Sequence, residues 1–437
     1  MNCLAKQGQQ PLSTVDKCVR IAIDLTPLLP GGDNGGAKLL ATGLIRQLCQ
    51  AAPEWEFVLL TSARSHNELA SLDAPNVRRL CITHQEQGSV QLPPTPTHLW
   101  LQLRRKLAHL IPRPVLTRLK ATYRVLLNRP KRNRLPQQID ADLLFCPFTA
   151  PFYFDPSVPV VSIVHDLQYV YYPQFFSADE RQHRAECFQS ACRLSAKLIC
   201  VSDYVRGTVL ENADVCTQRV LTIHTHLFHR LEKAPLQSVV EALKPLGLQM
   251  GRYLLYPANF WPHKNHRMLL TAFGMFRASH PESDLKLVCT GAPGDDMDFL
   301  HDAVRRMRLD AWLQFPGYVP DATFAALLQA CHALILPSLY EGFGMPILEA
   351  MAFGKPVLCS NVTSLPEIAR DAALFFDPRK PDEIVDAIAR IENDTELVMR
   401  LMQLGYKRLE TIGNATDMTQ QYLQVFCDVM MHASRGN

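Results

Sequence analysis

The sequence predicts an α/β fold of two similar doubly wound domains, and three observations lead there. Short apolar, β-branched runs alternate with longer amphipathic stretches, the pattern of parallel strands and their covering helices. The pattern restarts near residue 250 after a less regular stretch. At 437 residues the chain is also too long for a single hydrophobic core.

Taken in order, the first-half strands are expected at Arg20–Asp24, Phe57–Thr61, Leu143–Phe145, Val160–Val164 and Leu198–Val201. Those of the second half are expected at Tyr253–Tyr256, Leu285–Cys289, Leu313–Phe315, Ala333–Leu336, Val357–Cys359 and Leu374–Phe376. The linker is expected at about Ile223–Leu248, and a last helix, about Thr416–Met431, to pack back on the first domain. The division is therefore 1–228, 229–414 and 415–437. The chain is 47% apolar but has no apolar run of 18 residues, so no membrane-spanning helix is expected. Its first residues lack the apolar centre of a secretory signal. Thirteen scattered cysteines without a CxxC pair suggest reduced, mostly buried thiols in a cytoplasmic protein.

The net charge of +3 is unevenly spread. Gln87 to Ile139 holds eleven Lys or Arg and no acid, which leaves 3 − 11 = −8 for the rest. Leucines at helical spacing between these cations give two readings for the 87–139 insertion. One is a helical excursion on the first domain with its basic face in water. The other is docking on an anionic membrane surface, peripheral on the inner face of the cytoplasmic membrane. Nucleic acid is disfavoured, because only Trp100 and Tyr123 could stack bases there.

The chemistry concentrates in Glu341-Gly-Phe-Gly-Met-Pro-Ile-Leu-Glu349. A buried strand precedes it, Pro346 suits the first turn of a helix, and Gly354 suits its end. Glu341 then lies in a loop at the carboxyl edge of a parallel sheet, where ligands bind in such folds. Free N–H groups at the helix start favour an anion such as phosphate. Two carboxylates on the order of 10 Å apart around that site suit a nucleotide sugar, with hydroxyls at both ends. Pro257-Ala-Asn-Phe-Trp-Pro-His263-Lys264-Asn265-His266 places Lys264 in another loop at the same edge. His165 ends a buried strand of the first domain, with Asp166 as an N-cap or its partner. Gly31 to Gly36 form a glycine-rich loop matching neither a P-loop nor a dinucleotide fingerprint. Metal signals are poor: His224-Thr-His226-Leu-Phe-His229 lacks a supporting acid or cysteine nearby, and Asp295-Asp296-Met-Asp298 reads as a loop after a strand.

Glu341-x7-Glu349, with Ser338 before it and Gly354-Lys-Pro-Val357 after it, resembles the signature of retaining glycosyltransferases of family 4, the glycosyl transferases group 1 domain. The resemblance is strongest over Arg252 to Asp377. It implies a GT-B fold, two Rossmann-like domains facing across a cleft, and transfer from a nucleotide-diphosphate sugar without cofactor or metal. By position, Glu341 takes the transferred sugar and Glu349 the ribose. Backbone N–H groups of Phe343, Gly344 and Met345 face the sugar and phosphates, Lys264 the phosphates and His165 the donor sugar. Gly35 and Gly36 approach phosphate and acceptor. His263 stands where the family commonly has arginine, so a second phosphate cation falls to Arg267 or to a protonated His263. The Val-His-Asp and Pro-His-Lys-Asn contexts resemble mannosyltransferases, which favours GDP-mannose and a glycan or lipid-linked acceptor in bacterial surface polysaccharide assembly. Rival readings are a same-fold epimerase or phosphorylase and a non-catalytic nucleotide-sugar-binding assembly protein.

Overall fold

The computed structural model describes residues 18–31, 34–82 and 133–435. The basic stretch therefore lies almost wholly outside the described residues, as do Gly32 and Asp33 of the glycine-rich loop.

The first sheet holds β1 (Arg20–Asp24), β2 (Glu56–Ser62), β3 (Val77–Ile82), β4 (Leu143–Cys146), β5 (Val160–Val164), β6 (Lys197–Cys200) and β7 (Val220–Thr222). Its order is β3-β2-β1-β4-β5-β6-β7 and all its pairings are parallel. The second holds β8 (Tyr253–Pro257), β9 (Lys286–Thr290), β10 (Leu313–Gly317), β11 (Ala333–Leu336), β12 (Val357–Ser360) and β13 (Leu374–Phe376). Its order is β10-β9-β8-β11-β12-β13, again parallel throughout. Each sheet reverses winding direction once, at β1/β4 and at β8/β11. A crevice opens at the carboxyl ends of the strands where that happens.

Both faces of the first sheet are buried, which is why its strands are near-continuous apolar runs. Ile21, Ile23, Phe57, Leu59, Leu143 and Phe145 face one core, while Ala22, Val58, Leu60, Leu144 and Cys146 face the other. The helix Ala415–Arg435 returns to the first sheet and sets Tyr422 and Phe426 against Phe145, with ring centroids 5.9 and 5.1 Å away.

Two strands depart from the sequence reading. β3 carries Arg78 and Arg79 in its middle, and β7 has three residues; both are edge strands with one neighbour each. The expected linker is also more ordered than anticipated. It contains the helix Leu236–Leu243, which buries Val239 and Leu243 and packs on the helix Asp321–Ala330. Cys146, Cys200, Cys289, Cys331 and Cys359 are buried free thiols.

Candidate functional site

At the switch point of the second sheet, the loops after β8 and β11 bring two opposite charges together. Lys264 Nζ donates to Glu341 Oε1 at 2.7 Å, with 16% and 13% of the side chains exposed. Ser338 Oγ donates to the same carboxylate oxygen at 2.7 Å. Tyr256 OH donates to the Lys264 carbonyl at 2.7 Å and lies 3.3 Å from Ser338 Oγ, so the end of β8 holds both loops. Asn265 takes the left-handed conformation at φ 64° and donates to the carbonyls of Pro337 and Pro378 at 3.0 and 2.8 Å. That pins the turn carrying Lys264 to the strand end that leads to Glu341.

The helix after Glu341 runs Met345–Ala352, with Pro346 in its first turn. Gly344 precedes it at φ 95°, where a Cβ would also fall 2.5 Å from Leu365 Cδ2. No side chain caps this start and no acid lies in the first turn. The amide-rich start around Phe343, Gly344 and Met345 thus keeps the donor groups and positive dipole end that suit a phosphate. Gly354 ends the segment at φ 67°.

Glu349 lies on that helix, 2% exposed, and has a partner the sequence did not suggest. Arg230 Nε donates to Glu349 Oε1 at 2.8 Å, and its Nη1 lies 2.9 Å from Asp321 Oδ1. Burial raises the Glu349 pKa from the ordinary carboxylate range, and Arg230 partly offsets this. No local pattern marks Arg230, which precedes Glu349 by 119 residues.

The remaining sequence candidates are placed as follows. His165 Nε2 donates to the Pro147 carbonyl at 2.7 Å, leaving Nδ1 as the acceptor; burial lowers its pKa, which keeps the ring neutral. Burial and the neighbouring Lys264 push the His263 pKa well below its usual value, so its ring is neutral in this form. Arg267 is engaged with Asp296 through two bonds of 2.6 and 2.9 Å, so in this form it too is turned to another partner. Gly35, at φ 49°, lies against the second lobe, where a Cβ would meet the Trp261 ring at 3.2 Å; around Gly36 there is open space.

The first lobe grips the Glu341 loop directly. A Cβ on Gly342 would fall 2.0 Å from the His165 carbonyl oxygen, and Ser202 Oγ donates to the Gly342 carbonyl at 2.7 Å. Tyr340 is buried among Tyr171, Tyr172 and Tyr204, with centroids 5.9, 6.1 and 5.8 Å away. Glu367 accepts from the amides of Asp203 and Tyr204 at 2.8 and 2.9 Å, which caps the helix Asp203–Asn212 from the opposite lobe, and from His224 Nε2 at 2.6 Å. Asp203, His224 and Glu367 form the one group among the described residues with metal-ligand spacing. The acid that the histidine run lacked in sequence is thus Glu367, 143 residues away. Both of its oxygens are already taken by hydrogen bonds, which makes it a joint between lobes.

Two parallel doubly wound lobes facing across a cleft form the GT-B fold. Residues 242–408 match the model for glycosyl transferases group 1. Among relatives, the chain is 34% identical over 231 residues to O-antigen chain mannosyltransferase B of Escherichia coli, covering 51% of this chain and 58% of that one. It is 26% identical over 189 residues to the E. coli serotype-specific mannosyltransferase WbdA, covering 43% of this chain and 23% of that one. The matched part is thus under two thirds of either relative. In fold it is similar to Anabaena Alr3699/HepE in complex with UDP and glucose, with TM-score 0.69, 17% identity, and coverage of 94% of this chain and 100% of that one. WaaG, a glycosyltransferase involved in lipopolysaccharide biosynthesis, gives TM-score 0.62 and 13% identity over 93% of this chain and 99% of that one.

Proposed function

We propose that the chain is a retaining, metal-independent glycosyltransferase that moves a sugar from a nucleotide-diphosphate donor to a hydroxyl of a glycan or lipid-linked acceptor. The observation that carries the reading is the convergence of Lys264 and Glu341, 77 residues apart, beside an uncapped helix start at the switch point of the second sheet. The names of the relatives favour mannose and a place in surface polysaccharide assembly, and GDP-mannose is the donor proposed for it. In the reaction, the bond from the anomeric carbon to the diphosphate oxygen breaks and a bond to the acceptor oxygen forms on the same face. The acceptor proton passes to the departing phosphate. Lys264 and the amides near Phe343 to Met345 stabilise the charge growing on that phosphate. Glu341, oriented by Ser338 and Lys264, holds the sugar and offsets its positive charge, and Glu349 takes the ribose. His165, neutral and presenting Nδ1, meets the donor sugar from the first lobe, whose contact with the Glu341 loop excludes water. No helix among the described residues is long and apolar enough to cross a membrane. The proposed cytoplasmic location rests on the scattered thiols and its peripheral character on the basic stretch, which salt-sensitive binding to anionic liposomes tests.

The test is transfer from GDP-mannose, UDP-glucose and ADP-glucose with Lys264→Ala and Glu341→Gln beside the wild type. Each variant should stay folded by circular dichroism and lose on the order of 10²–10³ in kcat, as for other electrostatic groups at a reacting centre. EDTA should leave the wild-type rate unchanged. Near-full turnover by either folded variant removes the assignment.

A further inference from the structure

Beside the Lys264–Asn265 turn, a cavity of about 360 Å³ opens between the lobes. Phe175 forms its first-lobe wall, and Phe260, Trp261, His266, Arg267 and Asp296 line it from the second lobe. Of these only Arg267 was expected at the donor, and here its guanidinium is taken by Asp296.

Three features decide what it would take. Its aromatic walls come from both lobes, and Trp261 is 37% exposed, so flat apolar surface is available for stacking. His266 is 7% exposed, packed against Phe260 and Tyr256 at centroid distances of 4.2 and 4.7 Å, and its Nε2 is buried without a hydrogen-bond partner among the described residues. Such a nitrogen carries an unrecovered desolvation cost until a polar group reaches it. The third feature is charge. Arg267 is matched by Asp296, and burial together with Lys264 holds the His266 pKa at about 3, so that ring is neutral. An anion such as phosphate finds no net attraction there. A neutral, polyhydroxylated ring gains on both counts, with its C–H face on the aromatic walls and its hydroxyls on the Arg267–Asp296 ion pair. The volume is at the small end of the roughly 300–1,000 Å³ of ligand sites, enough for a sugar ring.

We propose that this cavity is a carbohydrate subsite that holds a sugar residue of the acceptor glycan, separate from the donor-binding residues. Only the word acceptor rests on the transferase reading, because glycan binding there needs no turnover. Mannotriose is the probe, titrated by calorimetry and by saturation-transfer NMR into the full chain, wild type and as Phe175→Ala and Asp296→Asn. Transfer from GDP-mannose to mannotriose is measured in parallel. The wild type should bind mannotriose, and each variant should weaken binding and raise the acceptor KM about five- to tenfold, with kcat and donor KM unchanged in Phe175→Ala. Absence of mannotriose binding to the wild type, or equal affinity in all three proteins, overturns the subsite. Binding that depends on Phe175 and Asp296 without any turnover keeps the subsite and sinks the transferase reading. Turnover with an unaltered acceptor KM does the reverse.

Discussion

Replacing Gly342 by Ala tests whether the contact between lobes serves the chemistry. The new Cβ would lie 2.0 Å from the His165 carbonyl oxygen and 3.1 Å from its carbon. Reaching an ordinary 3.4 Å contact requires the backbones to part by about 1.4 Å (3.4 − 2.0). Both atoms belong to main chain just past β5, and the Gly342 carbonyl is held by Ser202, so no flexible tip can absorb the shift. Overpacking of this kind costs about 1–3 kcal/mol. Applied to the joined form of the lobes, that lowers its weight about 5- to 150-fold. Of the proposed donor contacts, Lys264, Glu341, Glu349 and the amides near Phe343 to Met345 lie in the second lobe, and His165 alone reaches the sugar from the first. Gly342→Ala should therefore reduce kcat by 5- to 150-fold while donor Kd from calorimetry stays within about threefold. Wild-type kcat in a Gly342→Ala protein, or an equal loss of donor affinity, refutes the reasoning.

Arg230→Ala strips the buried Glu349 of its cation, which should cost about 3–5 kcal/mol in urea unfolding. Adding Glu349→Gln should recover most of that stability but not donor affinity. Asp24 is 1% exposed, with one oxygen held by Thr26 and the other unpartnered among the described residues; burial raises its pKa to about 6. A raised folded-state pKa means that the native state holds its proton longer than the unfolded chain does. Stability should then be fullest below pH 4 as regards this group and fall by about 3 kcal/mol as pH rises through 6. Asp24→Asn should remove that slope in unfolding measured from pH 4 to 7.5, and an unchanged slope places the titration elsewhere.

The sequence revealed the strands wherever a run is buried on both faces. β5 and β11 have the bounds read from apolar residues alone, because a central parallel strand excludes polar side chains on either side. β3 and β7 escaped for the converse reason: an edge strand tolerates Arg78 and Arg79 or needs only three residues. In the site, glycines and a proline around Glu341 announced a bare helix start, since few other residues permit that backbone. Arg230 on Glu349 and Glu367 on the helix Asp203–Asn212 left no comparable trace. Each is a single side chain meeting a partner 119 or 164 residues away, and nothing near it in sequence must change to accommodate the contact.

Phe145 and the helix that covers it also set a schedule for synthesis. The β4 segment is made about 270 residues before Ala415 (415 − 145), a gap of about 15–55 s at ordinary elongation rates. Throughout that interval the nascent first lobe lacks Tyr422 and Phe426 over its sheet, so an apolar face is open to chaperones or to aggregation. The lobe that begins first is sealed only after the second has been made, and translation speed between residues 145 and 415 becomes a determinant of yield.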